Sequence, residues 1–177
     1  MTDAPRFEMG HIGVYVTDID RMTDFYGRVL GFRITDGGAF GKARMAFLSR
    51  NAGHHHQIVF ITGRPAESYN VINQISFKVS SLADLRVYHD ALLAEGVEGF
   101  DPTDHGNAWS IYFRDPEGNR LEVFMDTPWY VQQPQREVLD FSLSDEGIHA
   151  TTEARFGAEE SFRPVEEWRA EIAPTIT

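Results

Sequence analysis

Apolar positions along this chain fall into two alternating rhythms. From His11 to Val16 they form a short strand-like run, HIGVYV. From Met22 they fall at 22, 25, 26, 29 and 30, which is one face of a helix. Asp18 stands where a helix cap is needed and Gly31 where a helix stops. Phe32–Asp36 and Lys42–Ser49 then read as strands, with Gly37-Gly38 as the turn between them. Asn51-Ala52-Gly53 is a second turn, and His54–Thr62 a further strand. Residues 63–72 have no clear period and read as a connection.

The same pattern then returns. Gln74–Val79 is a strand and Ser81 a helix cap. Leu85, Tyr88, His89, Leu92 and Leu93 repeat the apolar helix face, and Gly96 ends it. His11 recurs as Gln74 (11 to 74) and Met22 as Leu85 (22 to 85), a step of 63 residues in each case. A fixed step of this kind marks an internal repeat. Strands near 97–100, 108–113 and 120–125 complete the second copy. The expected fold is therefore α+β: two tandem βαβββ modules, about 8–62 and 72–126, whose curved sheets each carry one helix outside. Together they would form an eight-stranded mixed sheet cup enclosing a cleft. Residues 127–177 belong to neither copy. They begin with proline- and glutamine-rich extended chain and continue with helices expected at Ile148–Phe156 and Val165–Ile172, the former started by Ser144, Asp145 and Glu146. This C-terminal helical extension is expected to pack outside the domain of residues 1–126 or against a second subunit.

Composition narrows the chemistry. Of 177 residues, 42% are apolar, enough for a core. The formal net charge of -11 argues against nucleic acid and anionic membrane as partners, since both require basic patches. Cysteine is absent, which removes disulfides, thiolate ligands and a cysteine nucleophile. No apolar run reaches membrane-spanning length, and the N-terminal residues lack signal-peptide character, so a cytoplasmic location is expected.

The most informative stretch is Trp109–Phe124, WSIYFRDPEGNRLEVF. It reads as a strand, a turn built from Asp115-Pro116-Glu117-Gly118-Asn119, and a return strand carrying Glu122 within an apolar run. A carboxylate in such a run is costly unless it is paired, bound to metal or turned to solvent by strand alternation. The stretch by itself leaves these readings open.

This stretch, with His11-Ile12-Gly13-Val14, Phe25-Tyr26, Leu30-Gly31-Phe32 and Asp104-His105-Gly106, resembles the vicinal oxygen chelate superfamily over about residues 8–126. That superfamily includes glyoxalase I, bleomycin and fosfomycin resistance proteins and extradiol dioxygenases. The His-Gly followed by SIYFRDP is closest to the small extradiol-dioxygenase-like members. The resemblance implies a metal-binding cup with ligands on the first and last strands of each copy. It marks His11, Gln74 and Glu122, together with a position on the His54–Thr62 strand. There alternation favours His56 among His54, His55 and His56, while counting along the repeat favours Gln57. The implied metal ligands are His11, His56 and Glu122. Dioxygenases carry histidine where this chain has Gln74, a weaker neutral donor, so Gln74 is placed beside the metal as a substrate-binding group or fourth ligand. Some glyoxalases do use glutamine as a ligand, at the equivalent place in the other copy.

The resemblance further implies His105 and Tyr112 as catalytic groups, while Trp109 reads as a substrate-binding wall of the pocket or as a packing residue. The ligand set suits a divalent metal, Fe(II) first, with Mn(II), Ni(II) or Zn(II) as alternatives. The implied activity is extradiol-type ring cleavage of a catecholic or other vicinal-oxygen small molecule; an aromatic substrate and a homodimeric protein are expected. A glyoxalase-type isomerase or lyase, and a resistance-type protein that binds without catalysis, are the competing readings.

Overall fold

The computed structural model describes residues 8–65 and 67–175. Contacts divide the chain into two units. The first holds the described residues up to Asn73 together with Asp115–Asn119; the second holds Gln74–Arg114 and the described residues from Arg120 onward.

In the first unit, strand β1 (Ile12–Val16) leads into helix α1 (Ile19–Arg28), then strands β2 (Arg33–Phe40), β3 (Ala43–Ser49) and β4 (Ile58–Thr62). They form one sheet in the order β1-β4-β3-β2, with β1 and β4 parallel. Asp18 caps α1 by accepting the Arg21 N–H. Met22, Phe25 and Tyr26 are buried on the sheet side, with Tyr26 edge-on to Phe60. Two expectations are corrected here. Gly37-Gly38 is not a turn: β2 runs through it, bent by an irregularity between Ile34 and Asp36, and the chain reverses at Gly41, whose φ of 63° suits the missing side chain. His54–Gln57 is not strand either; it is an irregular approach to β4.

The turn Asp115–Asn119 completes this unit. Asp115 accepts the Glu117 and Asn119 N–H groups, which tightens the turn, and the Tyr26 hydroxyl donates to its other oxygen at 3.2 Å. Glu117 Oε1 accepts from the Thr17 N–H, the Thr17 hydroxyl and the Asp18 N–H, and Arg64 pairs with its second oxygen. One carboxylate therefore satisfies the donors at the entry to α1.

In the second unit, β5 (Ile75–Lys78), α2 (Leu82–Glu95), β6 (Asp101–Asp104), β7 (Ala108–Arg114) and β8 (Arg120–Asp126) repeat the plan. The repeat extends to register. Ile12 pairs with Ile58 across the parallel strands of the first sheet, and Ile75 with Leu121 in the second, both members shifted by 63 residues. Strand β6 begins later than the expected 97–100, because Gly96 and Gly99 (φ 66° and 63°) turn the chain there first.

The segment after Asp126 packs on this second unit. Strand β9 (Trp129–Tyr130) pairs with β11 (Arg163–Pro164), and β10 (Glu137–Val138) extends the sheet to the order β10-β6-β7-β8-β5. Helices α3 (Asp145–Phe156) and α4 (Val165–Ile172) lie where the sequence predicts them. A buried polar chain fastens α3: the Trp109 indole N–H donates to Thr152 Oγ1 at 2.8 Å, and the Thr152 hydroxyl donates to Asp104 Oδ2 at 2.7 Å. His149 on α3 lies edge-on to Trp109 and Trp129. No helix among the described residues is long and apolar enough to cross a membrane.

Candidate active site

Alternation along β7 and β8 sorts their residues onto two faces. Ile111, Phe113, Leu121 and Val123 are buried on the face that also carries Trp109. The opposite face carries Ser110, Tyr112 and Glu122, with Gln74 and Ser76 alongside on β5 and its approach. Tyr112 and Glu122 are directly paired across β7 and β8, and Glu122 pairs with Ser76 across β8 and β5.

Glu122 is 7% exposed, so its carboxylate needs partners. Ser76 Oγ donates to Oε2 at 2.5 Å and Gln74 Nε2 to the same oxygen at 3.3 Å. On the other side stands Tyr112. Burial first, and then the adjacent Glu122 carboxylate, push its phenol up to about 12, against the opposing pull of Arg120 and Ser110. The Arg120 guanidinium lies 4.0 Å from the centre of the Tyr112 ring. At neutral pH Tyr112 is therefore a hydroxyl donor and not a phenolate.

His105 Nε2 lies 3.0 Å from Tyr112 Oη, and its Nδ1 lies 2.6 Å from the main-chain oxygen of Gln135. A carbonyl only accepts, so Nδ1 carries a proton, and in the neutral form of the ring it is the Nε2 lone pair that faces Tyr112. The second unit thus brings together His105, Tyr112, Glu122 and Gln74 of the residues singled out in the sequence. It does not bring Trp109 to them. Trp109 is fully buried on the other side of β7, its indole N–H committed to Thr152, as the packing reading of this residue requires and the pocket-wall reading does not.

In the first unit, His11 immediately precedes β1, and its ring lies 4.3 Å from that of His56. His56 reaches it from the irregular approach to β4, so strand alternation does not set its direction as expected. Its Nδ1 is 2.9 Å from His55 Nδ1. Burial, and then the neighbouring His11 and His55, hold the His56 imidazole below its ordinary pKa, which keeps it neutral as a metal donor must be. Gln57 is otherwise engaged: its side-chain oxygen accepts the Arg50 N–H. Counting along the repeat by its 63-residue step in fact leads to Val59 and not to Gln57 (59 to 122), so that expectation is corrected: the first module carries an apolar residue at the position where the second carries its carboxylate.

Imidazole and carboxylate donors, with no sulfur among them, are of the type that holds a divalent metal. Among the described residues, no three His, Asp or Glu side chains are gathered as a ready-made metal set. Sequence reasoning missed Ser76, Ser110 and Arg120. Each lies an even number of residues from a recognised position on its own strand (76 from 74, 110 from 112, 120 from 122), and that parity was the available signal. Ser110 is fully buried on the same face as Tyr112. Gln133 and Gln135 carried no signal, because only the folded tail brings them to His105.

Residues 8–123 match the family model described as the Glyoxalase/Bleomycin resistance protein/Dioxygenase superfamily. Biphenyl-2,3-diol 1,2-dioxygenase 3 of Rhodococcus globerulus is 29% identical over 131 residues, covering 71% of this chain and 66% of the relative. Biphenyl-2,3-diol 1,2-dioxygenase 2 of the same organism is 27% identical over 132 residues, covering 71% and 65%. The chain thus spans just under two thirds of the length of these relatives. A glyoxylase/bleomycin resistance protein/dioxygenase domain from Frankia sp. EAN1pec shares the fold, with a TM-score of 0.61, 23% identity and coverage of 70% of this chain and 100% of that one. So does a variant of the fosfomycin resistance protein FosX from Listeria monocytogenes, solved with Mn(II) and 1S,2S-dihydroxypropylphosphonic acid, with a TM-score of 0.53, 23% identity and coverage of 66% and 90%. The repeated βαβββ plan and the matched span agree: this chain belongs to the glyoxalase/bleomycin resistance protein/dioxygenase superfamily.

Proposed function

We propose that this protein is an extradiol-type ring-cleaving dioxygenase acting on a catecholic small molecule through a divalent metal, Fe(II) first. The observation that carries the reading is the line His105–Tyr112–Glu122, in which an imidazole acceptor faces a protonated phenol beside a buried carboxylate. The similarity to two biphenyl-2,3-diol dioxygenases supports the same chemistry. His11, His56 and Glu122 are the proposed metal donors, with Gln74 beside Glu122. Bound there, Fe(II) would supply open positions for two adjacent substrate oxygens and for O₂.

The chain's own residues would handle the protons. His105 Nε2 holds a lone pair toward the Tyr112 hydroxyl and accepts a proton from a substrate hydroxyl that takes that place. Tyr112 stays protonated at neutral pH and donates to oxygen as negative charge develops on it. With Nδ1 bonded to the Gln135 carbonyl, the imidazolium formed when Nε2 is protonated keeps both N–H groups partnered. Ser76 and Gln74 hold the Glu122 carboxylate in place.

A glyoxalase-type or resistance-type activity is the second reading, favoured by Gln74 in place of histidine. Metal retention tests the enzymatic reading. Protein reconstituted anaerobically with Fe(II) and desalted is expected to keep about one metal per chain, and His11→Ala or Glu122→Ala to lose it. Wild-type protein that retains no Fe(II) contradicts the reading.

A further inference from the structure

We propose that Gln133 and Gln135, in the segment following the second module, are positioning residues that fix the ring tautomer of His105. The inference builds on the functional reading of His105 given above. The Gln135 carbonyl oxygen lies 2.6 Å from His105 Nδ1 and can only accept, so it selects the ring form with the proton on Nδ1. The opposite tautomer would place N–H on Nε2, 3.0 Å from Tyr112 Oη, and turn His105 from acceptor to donor at that contact. The direction of the bond that His105 offers is therefore decided outside the sheet that carries Tyr112.

Gln133 holds this arrangement from both sides. Its Oε1 accepts the Gln135 N–H at 3.0 Å, which fixes the peptide following Pro134. Its Nε2 donates to the His105 main-chain oxygen at 2.8 Å and to Asn107 Oδ1 at 3.1 Å. One side-chain amide thus ties the loop bearing His105 to Gln135, the residue whose carbonyl orients its ring. Gly106 makes the approach possible: its φ is 75°, and a Cβ there would lie 2.5 Å from Val131 Cγ1. The Thr127 hydroxyl donates to the Gly106 carbonyl at 2.6 Å from the same segment. The span matched by the family model ends at residue 123, so every one of these tail contacts comes from beyond it.

Neither glutamine side chain needs to touch the substrate, and the test reads the ring itself. Full-length protein labelled with ¹⁵N at histidine is compared with Gln133→Ala by long-range ¹H–¹⁵N correlation, the His105 signals being assigned by their loss in His105→Asn. Wild-type His105 is expected to show the Nδ1–H pattern, with the Nε2–H form disfavoured about tenfold, the bias one hydrogen bond of ordinary net strength provides. In Gln133→Ala the Nε2–H form is expected to rise to a comparable population while the thermal midpoint barely moves, since Gln133 is exposed. A wild-type Nε2–H pattern, or an unchanged Gln133→Ala spectrum, overturns the proposal. Should Gln133→Ala not fold, the wild-type pattern decides the matter. The readout does not require turnover. A protein that opens no catechol ring but keeps this tautomer counts against the dioxygenase reading and leaves the positioning role intact.

Discussion

Tyr112 and Glu122 are directly opposed residues of neighbouring antiparallel strands, and the phenol of the first is held protonated beside the carboxylate of the second. The ten-residue interval between them, 112 to 122, is closed by the Asp115–Asn119 turn. Tyr112→Phe removes the hydroxyl from the line that ends on His105 and leaves the ring packing in place. Stability is expected to change by about 1 kcal/mol or less in urea unfolding, while catechol turnover falls about 100-fold or more. Matched steady-state kinetics and unfolding curves for the two proteins check the prediction.

Gln74 donates to Glu122 beside the proposed metal donors, and its neutral amide is the weakest donor of the proposed set. Gln74→His exchanges an amide for an imidazole beside the same carboxylate. Fe(II) affinity is expected to rise at least about tenfold, a difference of about 1.4 kcal/mol. Competition with a coloured chelator measures it, and unchanged affinity would remove Gln74 from the ligand sphere.

The chain Trp109–Thr152–Asp104 anchors the C-terminal helices from inside the second unit. Thr152→Val keeps the shape and strands both an indole N–H and a carboxylate oxygen, so a loss of about 2–3 kcal/mol is expected at pH 7. Burial raises the Asp104 pKa, even though bonds from Thr152 and Gly106 oppose it. Folding therefore favours protonated Asp104, whose contribution is fullest below the ordinary carboxylate range and is lost as pH rises through the raised value. The Thr152→Val penalty should accordingly shrink on acidification, which paired urea titrations at pH 7 and pH 4 would reveal.

Glu117 has the opposite sign. Burial pushes its pKa up, but bonds from Asp18, Thr17 and Arg64 outweigh this and leave it below the ordinary value. Its contribution is present above the ordinary carboxylate range and lost as pH falls through the lowered folded value. Glu117→Ala is expected to cost about 2 kcal/mol at pH 7 by leaving the entry of α1 without its acceptor, and much less near pH 3. Chemical denaturation across that range separates this role from simple packing, whose penalty would not follow pH.

The repeat was legible because the fold needs the same helix face and the same parallel strand pair twice; Met22 and Leu85 are both buried, as that requires. Tyr112 and Glu122 could be placed together because a tight turn leaves little freedom of register. His56 was picked out for the wrong reason: a run of three histidines reads as the head of a strand, but the ladder starts at Ile58, and turn geometry brings the ring to His11. Trp109 reads either way in the sequence because an aromatic residue in this stretch suits a pocket wall or a core equally well. Its partner, Thr152, is 43 residues away on a helix that belongs to neither repeat. The support of His105 by Gln133 and Gln135 depends on the same long-range folding of the tail, which carries no periodic signal.

Oxygen consumption tests the central claim most directly. Protein loaded anaerobically with Fe(II) is mixed with biphenyl-2,3-diol and with simpler catechols in an oxygen-electrode cell, while the yellow ring-opened product is followed by absorbance. One O₂ is expected to be consumed per ring opened with at least one of these diols, and both signals to be lost in Tyr112→Phe and His105→Asn. Protein that retains Fe(II) yet consumes no oxygen with any of the diols would contradict the claim.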